Sequence, residues 1–320
     1  MNRYIFYIGI LVVAALGSCS RIDDAAPTEE IMLSAAVTDV EVGTKAQAYE
    51  GTTPSGDNPL SVELWFSNNE DDYSANTPSE DTRTYIPCHT YITFNSENIT
   101  PIMYNRSSTS TGNNALTYPT SGASVYCVGL YPQNVWAYNN GKFEATINGE
   151  DDLMFSTQIS GKWNEQFGTN NNRLQFRHML TWLRVTLCAT SYDAVDTWGE
   201  ITSVTFSTPD KISVGDADAT LVEYSGNTVI ELLEEPKTLS ILKTDVASIF
   251  CAPRDRGILI TVKTKDGRTA RTTISSQDGF NAGNQYVVVL YFDSLSIIDS
   301  VCTLESWENQ NDNLYLEPEL

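Results

Sequence analysis

The stretch LQFRHMLTWLRVTL, residues 174–187, fits two conformations, and the choice between them decides the fold. Phe176, Met179, Leu180, Leu183 and Leu187 fall on one helical stripe. Leu174, Phe176, His178, Leu180 and Trp182 instead alternate as one face of a strand. Leu183, Val185 and Leu187 then carry the apolar set at the opposite parity. A strand with a bulge or bend near Trp182 accounts for that change, because one extra residue reverses which face is buried. The neighbouring sequence favours the strand. On that reading His178, among apolar residues, is a hydrogen-bonded core histidine.

Outward from this stretch the pattern is β throughout. LSVELWF (60–66), ASVYCVGLY (123–131), ITSVTF (201–206) and YVVVLYF (286–292) are short runs rich in β-branched and aromatic residues, set between Gly- and Asn-rich turns. GILITVKTKDGRTARTTIS (257–275) reads as a hairpin whose Asp266-Gly267 pair makes a tight two-residue turn, and YNNGKF (138–143) has the same form. No long capped helical pattern occurs, which argues against alternating β-α architecture. SNNEDDYSANTPSEDTR (67–83) and SSTSTGNNALTYPTSG (107–122) read as surface loops. GKWNEQFGTNNNR (161–173) is the best linker, which divides the body into halves at 46–168 and 169–320, each of ordinary domain size.

Residues 4–16, YIFYIGILVVAAL, follow a single basic residue and are too short for a membrane span, which takes ~20 residues. They read as a secretory signal over residues 1–18. Leu16-Gly17-Ser18-Cys19 resembles a bacterial lipobox, in which the cysteine is acylated and becomes the new N-terminus. Acyl chains on Cys19 would hold the exported protein at a bilayer, at ~0.8 kcal/mol per buried methylene.

The chain has 320 residues, 41% hydrophobic and 19% charged, with a formal net charge of −22. That field argues against nucleic acid, whose phosphates need a basic surface. Two histidines and no CxxC spacing supply no motif for a metal centre. Past Cys19, five cysteines remain (Cys88, Cys127, Cys188, Cys251, Cys302), so at least one thiol is free or pairs between chains. Cys127 and Cys188, in apolar strand-like runs, read as buried thiols. No nucleophile elbow, zincin, P-loop or dinucleotide fingerprint is present. Cys88 and His89 are adjacent, so a strand would point them to opposite faces. The aromatic residues suit either a sugar-binding face or a β-sandwich core. Neither an enzyme nor a cofactor is indicated.

Several segments, in order, resemble the fimbrillin family, the subunits of type V pili of Bacteroidetes. EIMLSAAVTDVEVGTKA (30–46) is similar to the family's first strand ending in Thr-Arg/Lys-Ala. VYCVGLYP (125–132) and EDDLMFS (150–156) resemble its strand-Tyr-Pro and Asp-x-Met segments. LQFRHMLTWLRVTL resembles its Phe-x-His-x-Leu entry to the second domain, GFNAGNQYVVVLYF (279–292) its Gly-x-x-Tyr strand, and LESWENQ (304–310) its closing tryptophan.

The resemblance implies two tandem transthyretin-like β-sandwich domains in a lipoprotein of the outer-membrane surface. It also implies a trypsin-like protease that cuts after Arg or Lys, releases the lipidated first strand and opens a groove for a strand of another pilin subunit. In this sequence Lys45-Ala46 matches the cut site, within a removable segment 19–45 whose strand carries Ile31, Leu33, Ala35 and Val37. A surface lysine after Gly43 is the other reading of Lys45. Leu314 and Leu316 of the tail 311–320 alternate as a donor strand would, although Pro318 interrupts the run. The alternative function is a surface-anchored lipoprotein that binds a glycan or host protein and does not polymerise. A surface hydrolase using a carboxylate pair is a third reading that no spacing singles out.

Overall fold

The computed structural model describes residues 33–37, 55–57, 59–70, 72–74, 88–95, 98–99, 102–103, 114–115, 118–119, 121–167, 173–215, 220–295 and 297–305. Nearly every regular element in them is a strand. In chain order the first half contributes β1 (Leu33–Val37), β2 (Leu60–Ser67), β3 (Cys88–Phe94), β4 (Asn98–Ile99), β5 (Ile102–Met103) and β6 (Asn114–Ala115). It continues with β7 (Val125–Tyr131), β8 (Ala137–Asn139), β9 (Lys142–Thr146), β10 (Met154–Ser156) and β11 (Ile159–Gly161), and with them is counted β12 (Leu174–His178), which lies past the boundary expected at 168 but pairs in the same sheet. The second half opens with β13 (Thr181–Ala189), the helix α1 (Tyr192–Trp198), β14 (Glu200–Thr208), β15 (Lys211–Val214), β16 (Val222–Ser225) and β17 (Thr228–Glu231). It closes with β18 (Lys237–Thr238), β19 (Thr244–Cys251), β20 (Ile258–Thr264), β21 (Thr269–Ile274), β22 (Gln285–Phe292) and β23 (Ile297–Glu305).

An eight-stranded sheet runs β3-β2-β7-β10-β12-β1-β4, with β11 also on β7. Both of its faces are covered, so β2 and β7 are buried almost without interruption. One face holds Val62, Leu64, Phe66, Cys127, Leu174 and Phe176. The other face sets Trp65, Val128, Leu130 and Phe155 against Phe143, Ile212 and Val214 of a second sheet, β16-β15-β9-β8. That second sheet mixes the two halves: β15 lies antiparallel to β9, with Ile212 opposite Ala145. The third core lies between the sheets β19-β13-β22-β23 and β17-β14-β20-β21, where Leu183, Val185, Val204, Ile260, Val288 and Leu290 meet.

Residues 174–187 form strand, as the alternation indicates, but the break lies at Met179 and Leu180 rather than near Trp182. Here the chain leaves the eight-stranded sheet and enters the sheet of the second half, so the change of parity is a change of sheet. Hydrogen bonds fix the crossing. The Met179 N–H donates to Leu153 O (2.8 Å), the Gly283 N–H to Leu180 O (2.8 Å) and the Tyr224 hydroxyl to Met179 O (2.6 Å).

Both hairpins form. Asn140 and Gly141, at φ 50° and 79°, make the two-residue turn between β8 and β9. The turn at Asp266-Gly267 is longer than the sequence suggests. Only Gly267 has positive φ, and the Thr264 N–H donates to Arg268 O (3.0 Å) across three residues, 265–267.

The supposed surface loops and linker each carry a buried aromatic. Tyr73 packs with Tyr138 and Phe143, and Tyr118 packs with Phe167 at 5.7 Å between ring centroids. The Phe167 N–H donates to the Tyr118 hydroxyl (2.7 Å), and Lys162 pairs with Glu165 in a bridge. Residues 161–167 are therefore built into the first half and are not free linker. Trp65, Trp136, Trp182 and Trp198 are buried, so these indoles serve the cores and present no sugar platform.

Candidate strand-exchange groove

Strand β1 is the element on which the expected function turns. It lies parallel to β12, with Ala35, Ala36 and Val37 opposite Leu174, Gln175 and Phe176. On its other side Leu33 and Ser34 face Ile99 and Asn98 of β4. Its backbone ladder is therefore three positions long on one flank and two on the other. Leu33 is 1% exposed and belongs to the core with Leu174 and Phe176. Burying one such leucine contributes about 2 kcal/mol. Five residues and the buried Leu33 side chain give β1 a seat with a defined register.

The neighbouring strand is also anchored on its far side. On its other flank β12 pairs with β10, Met154 facing His178 and Ser156 facing Phe176. The Phe176 ring crosses Ser156 and lies on Gly129 of β7, where an added Cβ would stand 2.4 Å from Cζ. Ser156 Oγ accepts from the Gly129 N–H (2.7 Å) and donates to Thr157 O (3.0 Å), so the small residues beneath the ring are themselves satisfied. At the end of β12, His178 Nδ1 sits 2.9 Å from the Asp152 carboxylate, both side chains 1% exposed. Two segments that resemble different family motifs thus meet as one buried pair. His178 is the hydrogen-bonded core histidine read from its neighbours.

Removing β1 from this frame would leave the Leu174–Phe176 edge of β12 without its ladder and a slot where Leu33 had been. Unpaired N–H and C=O groups beside an apolar slot are the requirements for strand addition. The site offers backbone pairing and a hydrophobic seat. Among the described residues no group of three or more His, Cys, Asp or Glu could hold a metal ion. Cys127, Cys188 and Cys251 are buried thiols, and burial pushes the Cys251 thiol up to about 12. No helix among the described residues is long and apolar enough to cross a membrane.

Of the residues the sequence singles out, the structure places Leu33, Ala35 and Val37 in β1. Cys19, Ile31, Lys45, Ala46, Leu314 and Leu316 lie outside the described residues. Sequence reasoning missed the receiving frame: Leu174–Phe176 as an edge, Gly129 as the floor under Phe176, and Asn98–Ile99 as the second flank. A strand of two residues has no periodicity to find. The one signal present was Gly129 within an apolar strand, where glycine marks close approach.

The sequence profile of the fimbrillin-like family matches residues 73–307, more than two-thirds of the chain. The chain belongs to the fimbrillin-like family. The matched stretch begins after β1 and β2 and ends two residues past β23. The fold is similar to that of a candidate cell adhesion protein from Bacteroides uniformis ATCC 8492, at 14% identity and TM-score 0.53, over 87% of this chain and 98% of that one. It is also similar to a candidate cell adhesion protein from Bacteroides ovatus ATCC 8483, at 16% identity and TM-score 0.50, over 88% and 99%. No curated protein matches the chain.

Proposed function

We propose that this fimbrillin-like protein is a structural or adhesive subunit of a type V pilus, exported as a lipoprotein on Cys19 and assembled by strand exchange. A trypsin-like protease cuts after Lys45, in the segment between β1 and β2. β1 then leaves with the lipid, and a strand from another pilin subunit, carrying Leu314 and Leu316, takes its place on β12. Repeated head to tail, such a contact does not close and builds a filament on the outer-membrane surface. The observation that supports this reading most is the seat of β1: a short strand between β12 and β4, followed along the chain by the segment that contains Lys45 and leads to β2. The candidate adhesion proteins of similar fold agree with a surface role.

The test is limited trypsin treatment of the protein from residue 20 onward, alongside its Lys45→Ala variant. The parent should acquire an N-terminus at Ala46, lose residues 20–45 and form multimers, while the variant should stay monomeric. Equal multimerisation of the two removes Lys45 from the scheme. A folded monomer that keeps β1 and binds a glycan or host protein would establish the anchored binding module instead.

A further inference from the structure

The net charge of −22 conceals one stretch of the opposite sign. Between residues 254 and 271, Arg254, Arg256, Lys263, Lys265, Arg268 and Arg271 stand against only Asp255 and Asp266. Nearly a third of the chain's 19 basic residues thus lie in the hairpin β20-β21 and its approach. Two of these side chains are committed: Lys265 Nζ lies 2.8 Å from the Glu200 carboxylate, and the Arg268 guanidinium lies 5.6 Å from the centre of the Trp198 ring. Arg256, Lys263 and Arg271 are exposed and have no ion pair among the described residues, in a chain with 41 acidic residues.

Strand alternation turns Lys263 and Arg271 to one face. β20 presents Leu259, Thr261 and Lys263 away from the core residues Ile258, Ile260 and Val262, and β21 sets Thr273, Arg271 and Thr269 beside them. Lys263 faces Thr269 and Arg271 faces Thr261, so the two cations are diagonal neighbours, ~7–8 Å apart at the backbone. The hydroxyls of Thr261, Thr269 and Thr273 make no hydrogen bond among the described residues, and Leu259 is 48% exposed. Further across the sheet, Thr261 faces Thr205, and Thr205 faces Glu231. The Glu231 carboxylate accepts from the Val204 N–H (2.8 Å) and the Ser203 hydroxyl (2.6 Å), and it bounds the cationic zone on that side. Charges on an edge strand also deter unwanted sheet pairing, but in so acidic a chain carboxylates would serve that end equally. That role leaves the sign of the charge unexplained, and with it the unpaired hydroxyls around the cations.

We propose that the outer face of β20 and β21 is a binding surface for a sparsely carboxylated polysaccharide. Arg271 takes a carboxylate with two parallel N–H donors, and Lys263 takes the next as a point charge. Thr261, Thr269 and Thr273 exchange hydrogen bonds with sugar hydroxyls, and Leu259 seats the apolar C–H face of a ring. Charges farther away than ~8 Å are largely screened at physiological salt, so the local cations govern close contact despite the acidic remainder. A dense polyanion fits less well. Duplex DNA carries one charge per ~1.7 Å, which two neighbouring cations on an acidic protein cannot match. β20 and β21 pair with neither β1 nor β12, so this binding does not depend on the release of β1.

The experiment titrates the protein from residue 20 onward with hyaluronan oligosaccharides by calorimetry, alongside dextran, heparin and single-stranded DNA. Hyaluronan should bind and neutral dextran should not. Lys263→Gln with Arg271→Gln should weaken hyaluronan binding about tenfold or more, because hydrogen bonds to charged groups are the strong ones. Lys142→Gln with Lys162→Gln removes the same charge from the first half and should leave the affinity within about twofold, since screening confines the effect of remote charges. Thr261→Val with Thr273→Val keeps both cations and the β-branched shape, and should weaken binding about threefold through the lost hydroxyls. Thermal melts confirm that each variant is folded. Failure of the parent to bind hyaluronan, or equal binding by the Lys263 and Arg271 double variant, overturns the proposal. Equal binding of dextran overturns the role of the cations. Tighter binding of heparin or DNA than of hyaluronan overturns the choice of a sparsely charged glycan. A dimer of the unliganded parent in sedimentation, dissolved by the same double variant, would assign the face to a second copy of the chain instead.

Discussion

Phe176 rests on Gly129, with no room between the ring and the backbone for a single carbon: a Cβ there would lie 2.4 Å from Cζ and 2.8 Å from Cε1. The ring therefore leans away from β1, across Ser156, and locks β12 to the body of the sheet. β12 is thus anchored to the sheet on the side opposite β1.

Gly129→Ala forces the Phe176 ring off its floor. Overpacking of this kind costs about 1–3 kcal/mol. Urea denaturation should show a lower midpoint at unchanged slope. An unaltered midpoint would mean that the ring has somewhere else to go.

Leu33→Ala truncates a buried side chain of β1, and large-to-small changes in a core cost about 2–5 kcal/mol. Part of that loss should appear locally. Amide exchange at Ala35–Val37 should accelerate well before global unfolding, and release of residues 20–45 after cleavage should be faster. Uniform destabilisation, with β1 no looser than the rest, would contradict a separately removable strand.

Asp152→Ala removes the carboxylate that faces His178 Nδ1. Breaking a buried pair by removing one partner costs about 3–5 kcal/mol. Asp152→Asn, which keeps a hydrogen-bond acceptor for Nδ1, should recover part of it. Thermal melts of both variants distinguish loss of the pair from a general intolerance of change at this position.

Alkaline pH should unfold the protein through its buried acids. Burial pushes the Tyr118 hydroxyl up to about 12 from 10.0 and the Cys251 thiol up to about 12 from 9.0. Both folded values exceed the unfolded ones, so their contribution is intact below about pH 9 and is lost as pH rises towards about 12. Stability measured from pH 8 to 11.5 should fall, and Cys251→Ala should flatten the lower part of that fall. In the native protein at pH 8, Cys127, Cys188 and Cys251 should resist a thiol reagent that labels them in urea.

How much was legible follows from the range over which each feature is encoded. Alternation in residues 174–187 identified strand, and Asn140-Gly141 identified its turn, because each is written in adjacent residues. The break at Met179–Leu180 was misplaced by two residues because parity records that a switch occurs, while its site depends on which sheet accepts the next strand. Tyr73 and Tyr118 were read as loop residues because their neighbours are polar. Only the folded chain brings Tyr138, Phe143 and Phe167 to them.

The sequence by itself determined an all-β chain with a signal-like leader, a lipobox-like Cys19 and a strand pattern at 31–37. It also carried the family resemblance. The tertiary structure alone decided that β1 sits against β12, that β15 crosses to β9, and that Asp152 reaches His178. The reason is that backbone hydrogen bonds between distant strands are the same for every sequence. Which edges meet is settled by the packing of whole sheets, a property no local stretch contains.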